Sequence, residues 1–112
     1  MKTYKQFHGD IQLSDIGKQL RMIAKTEKSS FKVMTGYGSE SGSSKSKDAV
    51  LKSLSNMVKE GMIKGYLPGE VKNHLITPTH KLSRYLDDKF KFESLILKDV
   101  DYGNPGIVFV FK

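Results

Sequence analysis

Residues 30–54, which read SFKVMTGYGSESGSSKSKDAVLKSL, set the architecture that we predict for the whole chain. Apolar side chains fill much of the first part, so we predict a buried strand over residues 30–35. Residues 36–44 contain three glycines and four serines and have no apolar face, which is typical of a loop. Beyond it, apolar residues recur at helical spacing after Ser44 or Ser46. The stretch therefore predicts a strand, a glycine loop and a helix.

The predicted helix has one apolar and one basic side. We expect it to end near Gly61 or Gly65. At about 100° per residue, Lys45, Lys52 and Lys59 lie one above another, because they are seven residues apart. The apolar side chains on roughly the opposite side are Val50, Leu51, Leu54, Met57, Val58 and Met62. The pattern predicts an amphipathic helix with a basic face.

The rest of the chain predicts further strands and helices on either side of this unit. Pro68 and Pro78 interrupt an irregular helical stretch, and we interpret residues 66–92 as an insertion. Glycine and proline within residues 101–106 are typical of a loop between two antiparallel strands. In chain order, the other predicted elements are a strand at 3–8, a helix at 14–26, a short helix at 79–88, strand-like alternation at Phe90 and Phe92, and strands at 95–97 and 107–111.

This order predicts an α/β fold, a small two-layer sandwich in which helices cover a sheet. The elements follow the sequence β-α-β-α, then the helical insertion, then β-β. We expect the first two strands to be parallel, joined by a right-handed crossover through the helix at 14–26. The glycine loop then lies at the carboxyl end of the second strand, which is where ligands bind in open α/β sheets.

Length and charge limit the classes of function. The chain has 112 residues, which suits a single domain over residues 1–112. Its 19 Lys and Arg against 12 Asp and Glu give a net charge of +7, which favours polyanionic partners such as DNA or RNA. A solvated lysine-rich surface is an equal alternative. Because cysteine is absent, disulfides and Cys-ligated zinc are excluded. No apolar run approaches the roughly 20 residues of a membrane span, so we expect a cytoplasmic protein without membrane contact.

The glycine loop and the start of the following helix form the main candidate site. Glycines let backbone N–H groups approach a phosphate, and a helix amino end contributes positive potential. The loop lacks the Gly-Lys-Ser/Thr ending of a P-loop, and a simple strand-to-helix connection explains it equally well. Tyr37 is available to stack on a base. The predicted nucleic-acid-binding residues are Gly36, Tyr37, Gly38, Gly42, Lys45, Lys47 and Lys52.

Few other residues suggest chemistry. His8 lies at the end of the strand predicted at 3–8, where an imidazole can act as general base, phosphate contact or ligand, or can simply fix a turn. Asp99 and Asp101 are typical turn formers, with metal binding as a minor alternative. His74 and His80 have no carboxylate at a metal-ligand spacing, so we predict no metal site with them. No cofactor is expected, although a nuclease would use a divalent metal.

Motifs along most of the chain resemble the small MutS-related (Smr) domain family. The matching segments are Phe31–Gly38 with Ser46–Leu54, then Gly103–Val110, and in part Phe7-His8-Gly9. The family begins with a strand ending in Leu-Asp-x-His-Gly and continues with a helix, a strand, an H-G-x-G loop and a helix. It closes with a glycine turn and a strand. The resemblance implies the fold of the carboxyl-terminal domain of translation initiation factor three.

The resemblance also implies binding to DNA or RNA, with endonuclease activity in some members. In this chain Gln6 stands at the acidic position of the first motif, and Thr35 stands at the histidine position of the loop motif. Both differences remove ionisable groups that activate water. Our leading hypothesis is therefore a module that binds the phosphate backbone. The alternatives are an Smr-type nuclease with His8 as catalytic residue, and a protein-interaction domain that uses residues 66–92.

Overall fold

The computed structural model describes residues 1–8, 11–36 and 45–112. The described helices and strands are β1 (Lys2–Tyr4), α1 (Leu13–Thr26), β2 (Phe31–Met34), α2 (Lys45–Lys59), β3 (Gly65–Pro68), α3 (Leu86–Phe92) and β4 (Ile107–Phe111). In the same described ranges, short 3-10 turns occupy Gly69–Asn73, Ser83–Tyr85 and Glu93–Leu95. Within these residues, no helix is long and apolar enough to cross a membrane.

The strands form one mixed sheet in the order β1-β2-β4-β3. β1 pairs with β2 in parallel, which confirms that part of the sequence prediction. β4 lies between β2 and β3 and is antiparallel to both. β1, β2 and β3 therefore run in the same direction, and their carboxyl ends meet at one edge of the sheet. The molecule is a small α/β fold, as its sequence predicts.

α1 and α2 pack against each other on one face of the sheet. A Cβ atom added to Gly17 would lie 3.2 Å from the Ser53 hydroxyl, so the helices approach closely there. Further along both helices, Arg21 Nη2 lies 2.7 Å from Glu60 Oε2. Because these contacts advance in the same direction, the helices run parallel. The strand residues that share this face by register, all fully buried, are Phe31, Val33, Val108 and Val110.

The opposite face of the sheet is covered by α3 and the segment that follows it. The ring of Phe111 stacks on Phe92 with centroids 4.4 Å apart, and Phe109 meets the edge of Tyr102 at 5.9 Å. The expected two-layer sandwich therefore accounts only for the helices on the first face of the sheet. The sheet is covered on both sides, because the chain between β3 and β4 crosses its second face.

The predicted hairpin before the last strand is wrong. Leu95 ends a 3-10 turn and Ile96 and Leu97 follow it in turn structure. β4 instead pairs with β3 (Gly65–Pro68), which overlaps the first residues of the segment that we expected to be irregular. The observed order is β-α-β-α-β, a helical stretch, and β. Residues 66–92 therefore begin in a strand of the sheet rather than forming a wholly helical insertion.

The prediction for the region near residue 90 is also wrong. The short helix expected at residues 79–88 is a turn at Ser83–Tyr85 followed by α3, and α3 includes Phe90 and Phe92. Side chains that are two residues apart on a helix point in nearly opposite directions. Phe90 is 91% exposed, whereas Phe92 packs on the sheet. This alternation of exposed and buried side chains also fits a strand, which explains the error.

Candidate functional site

The predicted site residues lie around the edge where the parallel strands end. His8 follows β1, Gly36 follows β2, and the turn Gly69–Asn73 follows β3. α1 and α2 both begin at this edge, because each leads from the carboxyl end of one parallel strand toward the next. Tyr37, Gly38 and Gly42 lie outside the described residues. In open α/β sheets, ligands bind at this kind of edge.

Thr35 holds the end of β2 in place. Its side chain is 1% exposed, its backbone N–H donates to the carbonyl oxygen of Gly106 at 2.7 Å, and its hydroxyl donates to the same oxygen at 3.1 Å. The Smr resemblance places a histidine at this position. Here the position is buried and its hydroxyl is committed to the backbone, so it offers no acid or base to a bound substrate.

Among the described residues, no close contact requires glycine at position 36. A Cβ atom at this position would lie 3.6 Å from the Ser46 hydroxyl, which is an ordinary van der Waals contact. Its φ angle is also not positive, whereas Gly61 and Gly103 have positive φ. An alanine at position 36 therefore fits the described structure, which makes Gly36→Ala a mild test of backbone access.

Lys47 occupies a different place from the one that the sequence reasoning expected. It is 3% exposed, and its Nζ lies 2.6 Å from Oε1 of Glu70, in the turn after β3. Residue 47 precedes Val50 by three positions and Leu54 by seven, so it lies on the apolar side of α2. That spacing is the sequence signal for burial. Lys47 therefore joins the start of α2 to the end of β3 instead of facing solvent.

Lys45 and Lys52 lie on the exposed side of α2, as their spacing predicts, and Lys59 continues the same line. Among the described residues, none of the three forms an ion pair within 4.0 Å. Asp48 is exposed on the same side, between Lys45 and Lys52, and reduces the local positive charge. We call Lys45, Lys52 and Lys59 the α2 lysine row.

His8 and Gln6 lie in the turn after β1. The backbone N–H of His8 donates to the carbonyl oxygen of Lys5 at 3.1 Å, which closes the turn, and the His8 side chain is exposed. The Gln6 amide donates to the Gln19 side chain of α1 at 3.2 Å. The structure thus shows a backbone role for position 8 and leaves its imidazole at the surface.

Asp99 and Asp101 bind a buried lysine. Lys32 Nζ donates to the two carboxylate oxygens of Asp99 at 3.0 and 3.1 Å and to Asp101 at 2.8 Å. Burial acts to lower the pKa of Lys32, but the hydrogen bonds to Asp101 and Asp99 raise it above 10.5. The sequence reasoning missed this cluster, although a lysine inside a buried strand is itself a signal for a carboxylate partner.

The described residues also show what surrounds the other titratable groups. They contain no cluster of three or more His, Cys, Asp or Glu side chains that could hold a metal ion. The rings of His74 and His80 lie 5.1 Å apart between centroids, and His80 Nδ1 accepts a hydrogen bond from the Leu82 backbone at 3.0 Å. Position 80 therefore stabilises a turn.

Ion pairing leaves the rest of the surface basic. Among the described residues, six carboxylates take part in ion pairs with lysine or arginine, and these are Glu27, Glu60, Glu70, Glu93, Asp99 and Asp101. Two of the paired cations, Lys32 and Lys47, are buried. The net charge of +7 is therefore carried mainly by exposed lysines.

Comparison of the chain with protein-family models, with curated proteins and with solved structures finds no match. The resemblance to the Smr domain rests on the motifs quoted above, and the assignment of function rests on the geometry of the described residues.

Proposed function

We propose that this chain is a nucleic-acid-binding module that contacts the phosphate backbone of DNA or RNA. The contact surface consists of the edge where β2 ends and α2 begins, together with the α2 lysine row. The observation that carries the proposal is the exposure of Lys45, Lys52 and Lys59 without an ion-pair partner among the described residues. Phosphates are the partners that such a row attracts.

The local geometry supports an anionic partner at this edge. The first N–H groups of a helix lack intrahelical acceptors, and the helix dipole places positive potential there. Lys45 begins α2 and Gly36 ends the preceding described segment, so the first charge of the α2 lysine row lies at the edge where β2 ends. Asp48 in the first turn opposes this attraction, and its removal should therefore strengthen binding.

The residue types favour contact with the backbone rather than with base edges. Lysine is a compact charge without the planar fork that reads guanine, and arginine occurs at only two positions, Arg21 and Arg84. Arg21 is already engaged by Glu60. We therefore expect weak sequence preference and a strong dependence of affinity on salt.

We propose that the chain binds nucleic acid without cleaving it. Of the two positions that the Smr family uses for ionisable groups, Gln6 has an uncharged side chain bonded to Gln19, and Thr35 is buried and bonded to Gly106. At the third motif position, His8 provides an exposed imidazole. A nuclease that depends on His8 is the alternative, and it predicts product formation that requires magnesium or manganese.

The experiment is a survey of binding and cleavage with fluorescently labelled single-stranded DNA, duplex DNA, branched DNA and structured RNA. Each probe is titrated with the full chain at several salt concentrations, with and without magnesium or manganese. Salt-sensitive binding without product supports the proposal. Product that disappears in a folded His8→Ala variant contradicts it in favour of the nuclease, and absence of binding at low salt contradicts both.

A second candidate function, protein interaction through residues 66–92, is favoured by one observation. Leu75 and Phe90 are 90% and 91% exposed, and they flank a cavity of about 210 Å³ that Leu86 and Lys89 also line. Large apolar side chains with such exposure are typical of interaction sites. A partner that survives nuclease treatment, and that is lost in Leu75→Ser with Phe90→Ser, would support this function.

A further inference from the structure

β1 is an outer strand of the sheet that the described residues form. β1 pairs with β2 on one side, and the described residues provide no strand on its other side. The N–H and C=O groups of an open edge strand are a template for pairing with another extended chain.

A cavity lies directly beside this edge, between β1 and α1. Its volume is about 380 Å³, within the range of small binding pockets. Met22 lies in it and is 59% exposed, although it is a large apolar side chain. The lining residues are Tyr4, Gln6, Gln19, Met22, Ile23 and Thr26. The four from α1 follow at three- and four-residue spacing, so they form one continuous wall.

The rim of this cavity is basic. Lys18 and Lys25 are exposed and lie one turn to either side of Met22 on α1. Glu27 offsets little of their charge, because its own charge is paired with that of Lys2, whose Nζ lies 3.6 Å from the Glu27 carboxylate. Lys5 follows β1 and is also exposed, whereas the exposed acid Asp15 lies a turn beyond Lys18. The charge around the cavity therefore complements an acidic partner.

We propose that an extended acidic segment of another protein adds to β1 as a further strand and places an apolar side chain in the cavity against Met22. The open strand edge supplies main-chain hydrogen bonds, the cavity supplies side-chain selectivity, and the lysines favour acidic residues. A nucleic acid lacks the regular N–H and C=O ladder that this edge matches. The site uses none of the lysines assigned to phosphate contact, so it stands independently of the proposed function.

The test begins with a displayed library of random peptides selected on the full chain. Enriched peptides are synthesised with a fluorescent label, and their affinities are measured for wild type, Met22→Glu and Leu13→Glu. Leu13 is 48% exposed on α1 but does not line the cavity, so it controls for the added charge. Thermal unfolding confirms that the variants fold, which we expect because Met22 is largely exposed.

We expect acidic peptides with a central apolar residue. Met22→Glu should weaken their binding about tenfold or more, whereas Leu13→Glu should change it less than about twofold. N-methylation of alternate peptide bonds in the same peptides should weaken binding by a similar factor, because it removes the donors that pair with β1. Amide hydrogen exchange of Lys2–Tyr4 should slow when the peptide binds.

Several results would overturn the proposal. These are the absence of enriched peptides, and binding that neither Met22→Glu nor N-methylation weakens. A dimer that dissociates in Met22→Glu would assign the edge to a second copy of this chain. Displacement of the peptide by a single-stranded oligonucleotide, with the same dependence on Met22, would assign the groove to nucleic acid.

Discussion

Replacing Lys32 by methionine removes one buried cation and leaves the carboxylates of Asp99 and Asp101 without their lysine partner. The Lys32 side chain is 8% exposed, and those of Asp99 and Asp101 are 16% and 28% exposed. Methionine keeps much of the aliphatic volume of lysine, so the main change is electrostatic. The cluster connects β2 to the segment before β4, which covers one face of the sheet. Its loss should therefore destabilise the whole fold.

The expected loss follows from the burial of the three groups. Removing one partner of a fully buried ion pair costs about 3–5 kcal/mol of unfolding free energy. Because both carboxylates retain some contact with water, we expect about 2–3 kcal/mol for Lys32→Met. For a domain of this size, that loss corresponds to a fall of about 10 °C in the unfolding midpoint.

The assay is urea denaturation at pH 7 followed by circular dichroism, with Lys98→Met as the control. Lys98 is exposed and forms no ion pair within the described residues. Adding Asp99→Asn and Asp101→Asn to Lys32→Met should recover part of the loss, since the uncompensated charges are then removed. A loss in Lys32→Met no larger than that in Lys98→Met would refute the role assigned to this cluster.

Three further predictions concern stability. Burial acts to raise the pKa of Asp99, but its hydrogen bonds hold the pKa below 3.8. The contribution of Asp99 to stability is therefore present above that pH and is lost as the pH falls through the folded value. Asp99→Asn should flatten the acid-unfolding curve below about pH 4, and a curve as steep as that of the wild type would contradict this contribution. Gly69→Ala should cost about 1–3 kcal/mol by urea denaturation, because its Cβ would lie 2.4 Å from the Asn104 carbonyl oxygen, and an unchanged midpoint would contradict that crowding. Lys47→Met should lower the thermal midpoint by several degrees through loss of its buried ion pair, whereas Lys45→Met should leave the midpoint unchanged, and equal midpoints would contradict the difference in burial.

The two long helices were predictable because apolar residues at helical spacing form the face that each helix packs against the rest of the protein. α1 buries Ile16, Leu20, Ile23 and Ala24, which recur at helical spacing within the helix predicted at residues 14–26. β3 was not predictable from alternation, because all four of its residues are buried. Its first residue is glycine for a tertiary reason, since a Cβ there would lie 2.7 Å from the Phe92 ring. No local pattern contains that information.

The candidate site was predictable only in part. The exposure of Lys45 and Lys52 follows from helical spacing, and the same spacing places Lys47 on the apolar side, a signal that the sequence reasoning did not use. The partner of Lys47 is Glu70, 23 residues away along the chain. Because β3 was missed, the turn that carries Glu70 had no predicted place beside α2. Because one strand was missed, the burial of one predicted site residue was missed as well.

The decisive measurement for the proposed function is the salt dependence of affinity in two variants with the same net charge. One carries Lys45→Ala and Lys52→Ala, and the other carries Lys81→Ala and Lys98→Ala, which are exposed lysines away from α2. Affinity for a labelled single-stranded oligonucleotide is measured by fluorescence anisotropy at four or more salt concentrations.

If the α2 lysine row contacts phosphates, the first variant should reduce the slope of log affinity against log salt by up to about 1.4, at about 0.7 for each lost contact. The second variant should keep the wild-type slope, and both should keep the wild-type unfolding midpoint. Equal slopes in the two variants, or wild-type binding that does not respond to salt, would contradict the proposed phosphate-binding surface.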